Sequence, residues 1–131
     1  MTLHRRAFSQ LLAAAGIVTA AASVAQAQAR TVEVEMKQGA KMIFDPDTVT
    51  INAGDTVNWT NPSFVTHTVT FDPAKAQTAS DVVLPAGVAP FDSGSMEQDA
   101  TFAHQFTAKG TYKYVCKFHE AMGMVGTVIV K

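Results

Sequence analysis

Three side chains that bind soft metal ions lie within nine residues near the C-terminus. Cys116, His119 and Met124 supply a thiolate, an imidazole and a thioether at C-x2-H-x4-M spacing. Thiolate and thioether sulfurs favour copper, and two histidines, one cysteine and a weak axial methionine form the ligand set of blue-copper electron-transfer sites. A second histidine is missing from the cluster. His67 is the best candidate, because it lies in a strand-like run at residues 66–71.

Each of these residues also has a simpler structural interpretation. Cysteine is among the most buried residue types and methionine is a common core filler, so Cys116 or Met124 alone would more often belong to the core. The position of His119 between them reverses that preference. The chain has a single cysteine, so no internal disulfide can form, and the thiol must be reactive, intermolecular or metal-bound. Metal binding accounts for it best.

Residues 1–29 have the features of an export signal. An arginine pair precedes an apolar stretch at residues 11–24, and small residues follow up to a cleavage site after Ala27 or Ala29. The arginine pair resembles a twin-arginine signal, with ordinary secretion as the alternative. Because the apolar stretch is shorter than the roughly 20 residues that cross a bilayer, we expect no membrane span in the mature form.

The mature chain has the size and charge of one small domain. Cleavage after Ala27 leaves 104 residues, enough for one hydrophobic core but not for two. These residues carry 8 Lys and Arg against 11 Asp and Glu, a formal net charge of −3, with no basic block to hold nucleic acid. We therefore expect residues 30–131 to form a single monomeric domain that does not bind nucleic acid.

Short runs of alternating apolar and polar residues predict β-strands. They lie at residues 32–36, 49–51, 57–59, 102–106, 112–114 and 128–130, with turn-forming residues between them. Closely spaced short strands of this kind predict an all-β sandwich. Residues 73–100 are the exception, since their prolines and glycines indicate a long irregular excursion with one turn of helix near residues 74–79.

Three other conspicuous residues receive structural interpretations. We assign His104 to the solvent-facing side of its strand, opposite Phe102 and Phe106. Tyr112 resembles the aromatic corner that stabilises Greek-key sandwiches, so Tyr112 and Trp59 are interpreted as core residues with one polar atom to satisfy.

Several further segments match one known family. They are residues 44–51, 53–57, 61–62, 69–72, 110–116 and 123–126. With them the chain resembles plastocyanin and its close cupredoxin relatives, pseudoazurin and halocyanin. The resemblance implies a Greek-key β-sandwich with one type 1 copper ion, bound by His67, Cys116, His119 and Met124 at one end. The ligand loops of azurin and amicyanin are respectively longer and shorter than this one, which disfavours those two groups.

The resemblance also implies an electron carrier and not an enzyme. The chain would shuttle one electron between larger redox proteins such as cytochromes. Copper delivery or storage by an exported protein is the alternative function. A multicopper oxidase would need more ligands than the one imidazole that remains, His104. A thiol hydrolase that used Cys116 and His119 would leave Met124 without a purpose.

We expect redox partners to dock around the edge of His119. The apolar side chains predicted to surround it form a rim: Met42, Phe64, Val65, Phe118 and Met122. Exposed apolar patches often mark interaction sites, and weak redox encounters bury little area; the simpler interpretation is ordinary core or loop packing. Export predicts a periplasmic location, or the thylakoid lumen in a photosynthetic organism.

Overall fold

The computed structural model describes residues 15–17 and 28–131. Most of the export signal predicted at residues 1–29 lies outside these described residues, so its type and its cleavage position stay predictions. Within the described part of the chain, no helix is long and apolar enough to cross a membrane.

Residues 28–131 fold into two β-sheets that share one core. The strands are β1 (Thr31–Lys37), β2 (Ile43–Asp45), β3 (Thr48–Ile51), β4 (Thr56–Thr60), β5 (Thr70–Phe71), β6 (Phe91–Asp92), β7 (Thr101–Gln105), β8 (Gly110–Val115) and β9 (Val125–Val130). The first sheet has the order β2-β1-β4-β7, and the second has the order β3-β9-β8-β5-β6. The pairs β1–β4 and β3–β9 are parallel, and the others are antiparallel. The predicted all-β sandwich is therefore confirmed.

The apolar side chains of the alternating pattern form the inner face of this sandwich. Along β4 and β8 the side chains of every second residue are buried, which brings Trp59 and Tyr114 into the core. The Trp59 indole N–H donates a hydrogen bond of 3.0 Å to the Tyr114 hydroxyl. The Tyr112 hydroxyl donates one of 2.6 Å to the carbonyl oxygen of Ala108, as the aromatic-corner interpretation predicts. Both polar atoms are thus satisfied inside an apolar core.

All six predicted strands are present among the described residues, but the shortest elements were missed. β2 and β6 contain only three and two residues, too few to give an alternating pattern. In the run at residues 66–71, only β5 is strand, and His67 instead forms an isolated bridge with Met96. The excursion at residues 73–100 contains two 3-10 turns, Pro73–Lys75 and Ala79–Asp81, in place of the single helical turn expected.

The expectation for His104 was wrong. Positions 102, 104 and 106 are two positions apart along the chain, so a strand places all three side chains on the same side. The His104 ring stacks on Phe91 with a centroid distance of 3.8 Å and lies 4.8 Å from the ring of Phe106. Burial lowers the pKa of His104 accordingly. This histidine therefore packs from β7, an edge strand of the first sheet, onto Phe91 of β6, an edge strand of the second.

Candidate metal centre

The predicted ligands come from two parts of the chain that meet at one end of the sandwich. Cys116 follows β8 directly and Met124 immediately precedes β9, with His119 in the loop between them. β8 and β9 pair in register from Gly110 opposite Val130 to Val115 opposite Val125. The loop at residues 116–124 therefore closes the end of a continuous hairpin.

The thiol and the two imidazoles face one another. The Cys116 Sγ atom lies 3.4 Å from Nδ1 of His119 and 3.8 Å from Nδ1 of His67. Potential ligand atoms of the three residues all lie within 4.8 Å of one another. Metal bonds of about 2.0–2.3 Å place two ligand atoms of one ion roughly 3.3–3.9 Å apart at open angles. The spacing and the soft sulfur therefore fit a single copper ion.

Met124 is fixed to the other residues of the loop by its backbone. Its carbonyl oxygen accepts a hydrogen bond of 3.0 Å from the Cys116 N–H, and its own N–H donates one of 3.2 Å to the His119 carbonyl. The side chain is fully buried. The thioether thus belongs to the same end of the core as the Cys116 thiol.

A side-chain network fixes the orientation of His67. The imidazole is fully buried, and its Nε2 atom lies 3.1 Å from the Ser63 hydroxyl oxygen. The Ser63 hydroxyl donates its proton to carbonyl oxygens, at 2.7 Å to the Asn61 side chain and 3.2 Å to the Val65 backbone. The hydroxyl oxygen must then accept the Nε2 proton of His67, which leaves a free lone pair on Nδ1, toward Cys116.

Thr68 joins the His67 segment to the cysteine strand. Its N–H donates to the Cys116 sulfur at 3.4 Å, and its hydroxyl accepts a hydrogen bond of 2.9 Å from the Lys117 N–H. Because the Thr70 hydroxyl donates to Asp92 at 2.7 Å, the Thr68 hydroxyl donates in turn to Thr70 at 2.8 Å. An N–H group that donates to the sulfur is an outer contact of the kind that orients a metal ligand.

Burial keeps the His67 imidazole neutral. Desolvation, and secondarily the charge of the nearby His119, lower its pKa from 6.5 to about 4. A neutral imidazole is the form that binds metal ions. His67 is therefore ready to act as a ligand at neutral pH without first losing a proton.

Glu120, directly after His119, is a buried acid that belongs to no recognisable sequence motif. Its carboxylate accepts backbone hydrogen bonds of 2.6 Å from Gln77 and 2.9 Å from Thr78. Burial alone would raise the pKa of Glu120, but hydrogen bonds with Thr78, Gln77 and Asp81 together outweigh burial and lower it. A hydrogen bond to Glu120 raises the pKa of Asp81. The loop thus carries a fixed negative charge.

The five residues of the predicted apolar rim differ in exposure. Phe64, Met122 and Phe118 are 86%, 60% and 49% exposed. Met42 and Val65 are half-buried, and Met42 packs against the core. Three large apolar side chains are therefore available to a partner, whereas Met42 and Val65 are less accessible.

Comparison with known proteins identifies the family. The family described as copper binding proteins, plastocyanin/azurin family, matches residues 30–131. The chain belongs to this family. It is 36% identical over 126 residues to the chloroplastic plastocyanin of Tetradesmus obliquus, covering 90% of this chain and 79% of the relative. It is 33% identical over 108 residues to a plastocyanin of Nostoc punctiforme, covering 80% and 77%.

Solved amicyanin structures share the same fold. Amicyanin from Paracoccus versutus matches with a TM-score of 0.58 and 32% identity over 77% of this chain and 81% of amicyanin. The match concerns the whole sandwich, so the predicted difference in ligand-loop length stays a prediction. Together these relatives place the chain among small blue copper electron carriers, and not among enzymes.

The metal-free protein should lose stability as the pH falls from 6.5 toward about 4. In this range the unfolded chain protonates His67 while the folded chain does not, so the unfolded state binds more protons and stability rises with pH. Since one pKa unit corresponds to about 1.4 kcal/mol, we expect the free energy of unfolding to be about 2–3 kcal/mol lower at the acid end of this pH range. Urea unfolding of the metal-free protein at several pH values measures this free energy. His67→Gln should flatten this dependence, and an unchanged slope in that variant would contradict the assignment.

Proposed function

We propose that His67, Cys116, His119 and Met124 bind one type 1 copper ion, through which the chain passes single electrons between larger redox proteins. The observation that carries this proposal is the convergence of one sulfur and two Nδ1 atoms at 3.4 and 3.8 Å within a protein of a copper-binding family. When bound, copper supplies the one-electron Cu(I)/Cu(II) couple, and the copper–thiolate bond supplies the blue colour.

The residues around the site restrict the movement of its ligands. Main-chain hydrogen bonds join Cys116, His119 and Met124, and the Asn61–Ser63 network orients His67. Ligands held by these contacts move little when the charge of the site changes, which suits rapid electron transfer. Cys116 supplies a direct covalent path from the site into β8.

Optical spectroscopy of the purified domain tests the ligand assignment. We expect the protein with Cu(II) to show an intense blue band that bleaches with ascorbate and returns on reoxidation without loss of copper. Cys116→Ser should abolish the band, because it removes the thiolate. Met124→Leu should shift the reduction potential, whereas Met122→Leu, a matched change in the same loop, should leave band and potential unchanged.

The result of the redox cycle separates electron transfer from copper delivery or storage. A pale protein that releases its copper on reduction would favour delivery or storage and contradict the electron-transfer proposal. Equal effects of Met122→Leu and Met124→Leu would contradict the assignment of Met124.

We further propose that redox partners such as cytochromes dock on the apolar rim around His119. The exposed side chains of Phe64, Phe118 and Met122 support this surface, because apolar groups exposed beside a half-buried ligand can exclude water from a small contact. A contact of this kind dissociates quickly, as a shuttle requires.

Replacing the exposed rim residues should slow electron transfer without changing the site. For Phe64→Ala and Met122→Ala we expect the second-order rate constant with a c-type cytochrome to fall by about tenfold each, a loss of about 1.4 kcal/mol of contact energy. Stopped-flow spectroscopy measures this rate constant. Val83→Ala, a matched truncation of an exposed apolar residue that bridges Lys113 on β8, is the control. An equal effect of all three variants, or none, would contradict docking at the rim.

We propose that the chain is exported to the periplasm, with the thylakoid lumen as the location in a photosynthetic organism. The arginine pair and the apolar stretch at residues 11–24 support export. N-terminal sequencing of the protein from its host should begin at residue 28 or 30. Replacement of the arginine pair by lysines should block export if the twin-arginine route is used. A mature protein that still begins at residue 1 would contradict the proposal.

A further inference from the structure

The carboxylate of Glu120 connects the ligand loop to a segment far away in the sequence. One carboxylate oxygen accepts the Gln77 N–H at 2.6 Å, and the other accepts the Thr78 N–H at 2.9 Å. The Gln77 side chain makes a longer contact of 3.5 Å to the Lys117 carbonyl oxygen. The loop is therefore fastened to residues 77–78 at two points on either side of His119.

Residues 77–78 provide a defined attachment point. They lie between the 3-10 turns Pro73–Lys75 and Ala79–Asp81. The first turn is capped by the Asp72 side chain, which accepts the Ala74 N–H at 3.0 Å. The backbone N–H groups of Gln77 and Thr78 are thus presented together, and one carboxylate satisfies both.

Apart from hydrogen bonds along its own backbone and the bond from the Lys117 N–H to the Thr68 hydroxyl, the loop has little apolar packing to hold it in place. Phe118, Ala121, Met122 and Gly123 are exposed, so apolar burial contributes little between Lys117 and Gly123. Glu120 is the buried residue within that stretch, at 6% exposure. It is also the first residue of the 3-10 turn Glu120–Met122, which ends at Gly123 in the left-handed conformation with φ of 84°. Fixing Glu120 therefore fixes the start of the turn that leads to Met124.

We propose that Glu120 is a positioning residue, whose carboxylate holds the His119–Met124 loop against residues 77–78 and places a negative charge beside the metal centre. This inference rests on the proposed copper site for its functional meaning. The tether keeps the loop ordered before metal binds. The negative charge stabilises Cu(II) relative to Cu(I), which lowers the reduction potential.

Two variants separate the tether from the charge. Glu120→Asp keeps the charge but is one methylene too short to reach both N–H groups. Glu120→Gln keeps the length but removes the charge and presents an N–H₂ group to one of the donors. Glu97→Gln is the matched control, because the Glu97 carboxylate is exposed and accepts a hydrogen bond of 3.0 Å from Thr66, beside the other ligand segment.

Amide hydrogen exchange of the metal-free protein measures the tether without copper. In Glu120→Asp we expect the amides of Gln77, Thr78, Gly123 and Met124 to exchange about tenfold faster, since their hydrogen bonds open locally. Core amides such as that of Trp59 should change less than about threefold. Equal acceleration of loop and core amides, or no acceleration, would overturn the positioning role.

The reduction potential of the copper-loaded protein measures the charge. In Glu120→Gln we expect the ratio of Cu(II) to Cu(I) affinity to fall by about tenfold, which raises the potential by about 59 mV. Glu120→Asp and Glu97→Gln should shift it much less. An unchanged potential in Glu120→Gln would overturn the electrostatic part. If the wild-type protein formed no blue site, the proposed function would fail, whereas the exchange data would still decide the tether.

Discussion

The antiparallel pairing of β8 and β9 is the constraint on which the metal centre depends. It brings Cys116 and Met124 together at the end of a hairpin whose last pair is Val115 and Val125. Gly126 is essential to this arrangement, because a side chain there would collide with the Tyr114 ring that packs across the hairpin. The Cys116–Met124 hydrogen bond of 3.0 Å extends the pairing by one step, and the loop between them carries His119, whose Nδ1 atom lies 3.4 Å from the thiol sulfur.

The fourth proposed ligand depends on a different kind of constraint. His67 lies outside the regular strands, so hydrogen bonds to Met96 and Ser63 replace the sheet ladder there. A buried imidazole is costly unless its polar atoms are satisfied. The Ser63 hydroxyl satisfies one ring nitrogen and leaves the other for metal, so the requirement that stabilises the fold also prepares the ligand.

The sequence predicted the chemistry of the site better than its support. The spacing of Cys116, His119 and Met124 indicated copper, because a thiolate, an imidazole and a thioether in one short loop match the ligand preference of that metal. His67 was chosen from a strand-like run and from the family resemblance, and the strand expected around it is mostly absent. The role of Glu120 could not be predicted, because tertiary packing supplies its partner Gln77, which is 43 residues away. Ser63 is only four residues from His67, but no sequence pattern shows that its hydroxyl contacts the imidazole. The position of β6 in its sheet could not be predicted either, because β6 contains only two residues.

The fold holds the ligand atoms in place before metal binds. Crystal structures of the metal-free, Cu(I) and Cu(II) forms would show whether it does. We predict that the Cys116 sulfur and the Nδ1 atoms of His67 and His119 move by less than about 0.5 Å among the three forms, the tolerance of a preorganised site. A metal-free structure in which the loop at residues 116–124 is displaced, or a ligand that swings away on reduction, would contradict this claim.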